Sequence, residues 1–173
     1  IRKEASRLRF LSENENIPDV HKVSFDRILN GNHIETDVRG SLKMLCNLLY
    51  AYYGQKVILI IDEYDVPLIK SFQHGYYERM SNFIQSMYGT ALKTNDYLKF
   101  AVLTGSQRIL DKSIFNGLNN FDVNSILDTR YDAHFGFTAA EVRRILADYG
   151  LTDHFAETKA WYGGYRFGDA DVY

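Results

Sequence analysis

The sequence has few of the residues that mark secreted, fibrous or membrane-spanning proteins. Its one cysteine, Cys46, cannot form an internal disulfide, which fits a reducing cytoplasm. Its two prolines, Pro18 and Pro67, leave no proline-rich linker. The longest aliphatic run, Val57–Ile61, is far shorter than the roughly 20 apolar residues that a membrane helix needs. We therefore expect a cytoplasmic protein without a membrane partner.

The sequence also lacks an excess of charge of either sign. The 20 Lys and Arg residues oppose 22 Asp and Glu residues, and the net charge of −2 does not support a nucleic-acid partner. Aromatic residues make up 14%, and we interpret them as interface and half-buried packing. The length of 173 residues allows one domain, or one domain plus a fragment. Because the sequence starts at Ile1 without a Met, we interpret it as an excerpt of a longer protein.

Several catalytic and metal-binding motifs are absent. No G-x-S-x-G nucleophile motif occurs. No G-x-x-x-x-G-K-[ST] phosphate loop occurs either, so no segment of this sequence can cradle the β- and γ-phosphates of a nucleotide. The histidines show no metal-ligand spacing with the lone cysteine; they are His21, His33, His74, His134 and His154.

Helices and strands alternate along the sequence, which predicts an α/β fold. Apolar residues recur every three or four positions over Val38–Tyr53 and Tyr76–Lys93, as in two amphipathic helices. Val57–Ile61 and Leu98–Leu103 resemble strands, and the first is apolar on both faces, as in a covered parallel sheet. Val20–Phe25 resembles a third strand. We expect these strands to lie side by side in a mostly parallel sheet that is flanked by helices on both faces.

The predicted helices have recognisable ends. Asp37 is the expected N-cap of the first amphipathic helix, and Gly54 is its expected stop. Cys46 lies beside the apolar face of that helix, which favours a buried residue over a reactive thiol. Thr138 and Glu141 form the pattern of a capping box, which predicts a further helix that ends at Gly150.

We expect two parts in the chain. Residues 1–137 form the α/β domain, and residues 138–173 form a small, truncated lobe that is helical and irregular. Four residues near the end are predicted to pack this lobe; they are Trp161, Tyr162, Tyr165 and Phe167. Asn119 and Asn120 are expected to bond backbone groups in the irregular segment between the two parts.

The strand Val57–Ile61 is followed directly by two acids, Asp62 and Glu63, which is the pattern of a Walker B strand. A buried parallel strand brings its last side chains to the carboxyl edge of the sheet, where ligands bind in open α/β folds. There Asp62 could hold Mg²⁺, and Glu63 could orient and polarise an attacking water. The alternative is that both acids are solvated at a strand end. Asp65 could instead cap the next turn.

The second strand also ends in polar residues. Thr104 or Ser106 could sense the γ-phosphate of a nucleotide at the same edge of the sheet. Arg108 could meet phosphate charge, either within the chain or across an interface. The alternative is that Thr104–Ser106 is a turn and that Arg108 is a surface charge.

Five sequence blocks together resemble the predicted AAA-ATPase-like family of bacterial proteins. The first is the Ile-Asp-Glu-Tyr-Asp-Val-Pro block, and the others follow in the order that the family keeps. The blocks are Ile60–Pro67, Leu103–Gly105, Ser113–Asn120, Phe135–Val142 and Trp161–Gly168. Gly163 departs from the acidic or amide residue expected between Tyr162 and Gly164, which puts a polar role at this position in doubt.

This resemblance implies a P-loop ATPase that uses ATP and Mg²⁺, with its phosphate loop upstream and often a PD-(D/E)XK nuclease-like domain attached. Asp62 matches the family's magnesium ligand and Glu63 its catalytic acid, and Thr104 matches the sensor position. We expect these 173 residues to be part of an ATPase. On their own, we expect them to be inactive. The alternative is a non-catalytic, ATPase-like interaction module.

Overall fold

The computed structural model describes residues 1–106 and 121–173. The chain divides into two compact units, Ile1–Asn120 and Phe121–Tyr173. The division after residue 137 that we expect from the sequence stays a prediction about domains. No helix in the described part of the chain is long and apolar enough to cross a bilayer.

The first unit contains six helices and two strands among its described residues. In chain order they are α1 (Arg2–Arg7), α2 (Phe10–Glu13), α3 (Asp19–Asn30), α4 (Glu35–Tyr53), β1 (Val57–Ile61), α5 (Val66–Gln73), α6 (Tyr77–Leu92) and β2 (Leu98–Leu103). The sequence pattern thus located β1, β2 and the two long helices, with their ends within three residues. It did not reveal α5, whose first turn holds Pro67.

The two strands pair in parallel, as the α/β prediction requires. Val57 lies opposite Leu98 and Ile61 lies opposite Leu103, with an irregularity after Val57. Among the described strands β2 pairs with β1 alone, so each strand has one edge without a neighbour. The fold is therefore α/β with a short, two-stranded parallel sheet in the part of the chain that the structure describes.

The predicted third strand at Val20–Phe25 is wrong, because this segment lies inside α3. The buried side chains of α3 recur every three residues, at Lys22, Phe25 and Ile28, whereas Val20 is 76% exposed. This is the spacing of one helix face rather than the alternation of a strand. Gly31, at a φ of 79°, ends the helix in a left-handed conformation that glycine adopts without strain.

The helices α1–α4 enclose the first of two apolar cores. Its fully buried members are Ala5, Leu11, Ile17, Phe25, Ile28 and Leu48. Cys46 is also buried, which confirms its predicted environment.

The second core lies between the sheet and the helices α5 and α6. Leu68, Ile84 and Tyr88 pack there with Ile61 and Leu103 from the strand ends. The opposite face of the sheet is exposed, and its members are Ile58, Ile60, Phe100 and Val102. The sequence predicts helices on both faces of the sheet, but within the described residues they cover only one.

Asp37 does not occupy the N-cap position of α4, which belongs to Ile34. Asp37 stands three residues further along, where its Oδ2 accepts a hydrogen bond of 3.0 Å from the Ile34 N–H. Arg27 of α3 also donates to this carboxylate, from Nε at 2.8 Å. The hydrogen bonds from Arg27 hold the pKa of Asp37 well below its ordinary value. This acid therefore both caps α4 and ties it to α3.

The second unit contains α7 (Ala139–Asp148), α8 (Phe155–Tyr162) and the antiparallel strands β3 (Tyr165–Phe167) and β4 (Ala170–Val172). Two short 3₁₀ helices, Asp132–His134 and Thr152–His154, complete it. The predicted capping box is confirmed, since the Glu141 N–H donates to Thr138 Oγ1 at 3.3 Å and the Thr138 N–H donates to Glu141 Oε2 at 2.8 Å.

Three of the four aromatic residues near the C-terminus do not pack this unit as predicted. Trp161 is 78% exposed, and Tyr162 and Tyr165 are also largely exposed. The fourth, Phe167 on β3, is half-buried. Two valines are fully buried in this unit instead, Val142 on α7 and Val172 on β4.

We predict that replacing Asp37 with Asn lowers the unfolding temperature of the protein at pH 7. Because the pKa of Asp37 is lowered on folding, its carboxylate stabilises the fold fully above the unfolded pKa of about 3.9, and this contribution is lost as the pH falls through the folded pKa. The gap between wild type and Asp37→Asn should therefore narrow below about pH 4. Thermal unfolding between pH 7 and pH 2 measures this gap.

The matched control is Glu15→Gln, which removes one carboxylate from an exposed position of the same unit. It should leave the unfolding temperature unchanged across the same range. A gap for Asp37→Asn that stays constant down to the lowest pH would contradict a charge-based role.

Candidate functional site

The ends of β1 and β2 are joined beyond the last paired residues. The Thr104 N–H donates to the Ile61 carbonyl at 2.9 Å, and the Tyr64 N–H donates to the Thr104 carbonyl at 3.0 Å. These two bonds extend the parallel pairing of the strands into the segments that follow them. As a result Asp62 and Thr104 lie side by side at the carboxyl edge of the sheet.

One oxygen of Asp62 is held by its neighbours. Its Oδ1 accepts hydrogen bonds from the Glu63 N–H at 3.0 Å and from the Thr104 hydroxyl. Its Oδ2 has no hydrogen-bond partner among the residues that the structure describes, and the residue is exposed. The carboxylate is thus oriented by one oxygen while the other remains available to a ligand.

Glu63 has an unusual backbone conformation. Its φ is 53°, which makes it the one residue other than glycine with positive φ in the described chain. Such a conformation costs about 1–3 kcal/mol for a residue with a side chain, and it persists only where the surroundings impose it. Here the Glu63 N–H is bonded to Asp62 and its carbonyl accepts from the Val66 N–H at 3.2 Å. The Glu63 carboxylate is exposed and has no partner among the described residues.

A second pair joins the same two segments. Ser106 Oγ donates to Asp65 Oδ2 at 2.8 Å, and Asp65 is fully buried. The sequence suggests that Asp65 could cap the next turn, and Asp65 does occupy the N-cap position of α5, but its side chain makes no capping hydrogen bond. The carboxylate binds the segment after β2 instead.

Gly105 lies between Thr104 and Ser106 in the sequence and packs closely on the segment after β1. A Cβ atom at this position would lie 2.7 Å from Tyr64 Cε1 and 2.9 Å from Asp65 Oδ1. These distances are shorter than van der Waals contact, so a side chain would force the two segments apart. Gly105 therefore allows the approach that the Asp65–Ser106 bond requires.

The structure brings together four of the five residues that the sequence analysis selects. Asp62, Glu63, Thr104 and Ser106 lie on two segments joined by hydrogen bonds, which is the predicted placement. Arg108 lies outside the described residues, as do Asn119 and Asn120. The catalytic and binding roles of all five residues stay predictions. The sequence analysis missed the Asp65–Ser106 bond and Gly105, although the Thr-Gly-Ser sequence after a strand was a signal for a close turn.

The donor set at this edge suits a magnesium–nucleotide complex better than a metal held by protein alone. No group of three or more His, Cys, Asp and Glu side chains within residues 1–106 and 121–173 could hold a metal ion. Mg²⁺ is usually bound through one or two carboxylates, with substrate phosphates and waters as its other ligands. Asp62, with one free oxygen, fits that arrangement.

Two cavities, of 520 and 550 Å³, lie elsewhere on the first unit. Both are lined by Tyr76 and Arg79 at the start of α6, and Asp62, Glu63 and Thr104 line neither. We give more weight to the edge of the sheet, because its polar groups converge there. Asp62, Glu63 and Thr104 are all exposed at this edge.

The family model described as AAA-ATPase_like, Predicted AAA-ATPase, matches residues 4–115. The chain belongs to this family. The match includes both strands and the residues from Asp62 to Ser106. It confirms the resemblance stated from the sequence blocks. A P-loop NTPase fold is suggested by this membership.

This AAA-ATPase-like chain is also similar to a protein of Azotobacter chroococcum mcd 1 that is described as "Uncharacterized protein in vnfD 5'region". The two are 30% identical over 125 residues, which is 72% of this chain and 24% of that protein. The chain thus spans about a quarter of the length of this relative. No solved structure matches the chain.

We predict that Gly105→Ala destabilises the protein by about 1–3 kcal/mol, because the added methyl group overpacks the contact with Tyr64 and Asp65. The matched control is Gly40→Ala in α4, where a Cβ meets no atom within 4 Å. That change should leave stability unchanged or raise it by about 0.5–1 kcal/mol, since alanine is the better helix former. Urea unfolding measures both. Equal effects at the two positions would show that the strand ends are not tightly packed.

Proposed function

We propose that this chain carries the magnesium-binding and water-directing edge of an ATP site. In the natural protein this edge would serve the binding and hydrolysis of ATP, coupled to an attached effector domain. The observation that carries the proposal is the Asp62 carboxylate, which is held at one oxygen by Thr104 and Glu63 and is free at the other. Its place at the carboxyl edge of parallel strands, where α/β folds bind ligands, supports the same conclusion.

Asp62 is the residue that would hold Mg²⁺. Carboxylate oxygens are the ligands that this ion prefers, and a carboxylate that is already oriented loses less entropy on binding. Held there, the ion would supply positive charge next to the phosphates of the nucleotide. Thr104 and the Glu63 N–H fix the direction of the Asp62 side chain through Oδ1.

Glu63 is the residue that would act on water. Its left-handed backbone places it directly beside Asp62, and its carboxylate is committed to no described group. A carboxylate in this state can accept a proton from an attacking water or orient it. The strained conformation supports a functional reason for a side chain at this position, since glycine would adopt the same φ without cost.

The hydroxyl groups of the β2 segment support a revised assignment. The Thr104 hydroxyl donates to Asp62, so we propose that it orients the magnesium ligand rather than sensing the γ-phosphate directly. The Ser106 hydroxyl donates to Asp65, so we propose that it joins the two segments of the protein rather than binding the nucleotide. We also propose that Arg108 contacts a phosphate of the nucleotide. Its position in the sequence, shortly after β2, is what supports this role.

These 173 residues contain no phosphate-loop motif. Most phosphate contacts in a P-loop enzyme come from the backbone N–H groups of that loop and from its lysine. We therefore expect these residues alone to bind ATP weakly or not at all, and to release no phosphate. Equilibrium dialysis with ATP and Mg²⁺ measures this, and tight binding by these residues would show that another segment cradles the phosphates.

One observation favours the second candidate function, a non-catalytic interaction module. The sheet exposes an apolar face formed by Ile58, Ile60, Phe100 and Val102, and Ile60 is 72% exposed. Apolar patches of this kind mark surfaces that bind other protein. A nuclease-like domain in the same polypeptide remains an expectation from the family resemblance.

We predict that Glu63→Gln in the natural protein keeps nucleotide affinity and lowers the rate of phosphate release by about 10²–10⁴-fold, because it removes the base. Asp62→Asn should weaken magnesium-dependent nucleotide binding as well, because it removes the charge that faces the ion. Steady-state phosphate release and ATP affinity with and without Mg²⁺ measure both effects. Matched controls are Glu15→Gln and Asp96→Asn, which change exposed acids that do not lie at the carboxyl ends of the strands.

Unchanged turnover in Glu63→Gln would remove Glu63 from the proposed role. If the natural protein binds no ATP at all, the interaction module becomes the better description.

A further inference from the structure

Asp65 is a buried acid that the proposed chemistry does not use. It is 0% exposed, whereas Asp62, three positions earlier, is exposed. Burying a carboxylate is costly unless it is hydrogen-bonded. The Ser106 hydroxyl supplies such a hydrogen bond at 2.8 Å. This bond joins two segments that are 41 positions apart in the sequence.

The contacts around Asp65 lead to Thr104. Ser106 is separated from Thr104 by Gly105 alone, and Gly105 packs against both Tyr64 and Asp65. The Thr104 carbonyl is itself bonded to the Tyr64 N–H. The Asp65–Ser106 bond therefore holds one end of a three-residue segment whose other end carries the hydroxyl that orients Asp62. Without that bond the segment would keep the backbone bonds of Thr104 to Ile61 and Tyr64, but its Ser106 end would no longer be held by a side chain.

Asp65 also anchors the start of α5. Its carbonyl accepts from the Leu68 and Ile69 N–H groups, at 3.0 and 2.9 Å, and Leu68 is fully buried in the second core. The backbone of Asp65 is thus fixed by a packed helix. A side chain that extends from such an anchor can hold a neighbouring segment in one position.

We propose that Asp65 is a positioning residue of the site, which acts through Ser106 to keep Thr104 beside Asp62. This inference rests on the proposed function, and it adds a residue to which neither the sequence blocks nor the family match assigns a role. Ser106 in this arrangement serves the protein rather than the nucleotide. Two side-chain hydrogen bonds would then join the segments that follow β1 and β2. One is the exposed Asp62–Thr104 bond, and the other is the Asp65–Ser106 bond.

The first test measures the kinetics of the natural protein with Ser106→Ala, which removes the donor with little change of volume. Turnover should fall by about 10²-fold, the usual cost of a misplaced group, while KM stays within about 3-fold, because no nucleotide contact is lost. Ser106→Thr, which retains a hydroxyl, should restore turnover. The effects of Asp65→Asn and Ser106→Ala on turnover should be less than additive in the double variant, because the two residues share one bond. Asp96→Asn is the control for a change of charge alone.

The second test does not depend on turnover. Hydrogen exchange in peptides covering residues 61–66 and 100–106 should be faster in Ser106→Ala than in wild type, because the Thr104 and Tyr64 amides lose protection. Peptides from α3 and the first half of α4 should exchange as in wild type. Ser106→Thr should again resemble wild type.

The two tests separate the possible failures. If wild type releases no phosphate, the proposed function fails, and the exchange experiment alone decides the role of Asp65. Unchanged protection at residues 61–66 and 100–106 overturns the inference. Faster exchange throughout the first unit also overturns it, since the bond would then be merely structural. A raised KM with unchanged turnover assigns Ser106 to the nucleotide and overturns it as well.

Discussion

The parallel pairing of β1 with β2 is the constraint on which the candidate site depends. The pairing places Ile61 opposite Leu103, and the next backbone bond, from Thr104 to Ile61, carries the register past the ends of both strands. A shift by one residue would move Thr104 to the other face of the sheet and separate it from Asp62. The packing of Ile61 and Leu103 against α5 and α6 maintains this register, so the second core and the site are parts of one arrangement.

The site combines a rigid part with an open part. Backbone bonds and the Asp65–Ser106 pair fix the two strand ends relative to each other, while Asp62 Oδ2 and the Glu63 carboxylate have no partner in the described chain. An arrangement of this kind is suited to binding a ligand through groups that are already in place, because little reorganisation is needed. The family match covers residues 4–115 and so includes both strands of this sheet.

The sequence was informative where a pattern is local and strongly periodic. The runs of β1 and β2, the long helices α4 and α6 and the Thr138–Glu141 capping box are all of this kind. The Val20–Phe25 segment was misjudged because it contains a few apolar residues that fit either period, and burial on α3 decided between them. The Asp37–Arg27 and Asp65–Ser106 bonds could not be read from local patterns, since each depends on how separate elements pack.

The sheet described above has a further consequence for how the chain behaves in concentrated solution. Among the described residues, one edge of β2 has no strand beside it, and it lies next to an apolar face that includes Ile60 and Phe100. Such an edge is a template for pairing with another chain, and natural proteins usually protect it with charges, proline or a covering segment. Lys99 is the one charged side chain on β2. These 173 residues, prepared without a covering segment, should therefore aggregate through β2 as their concentration rises.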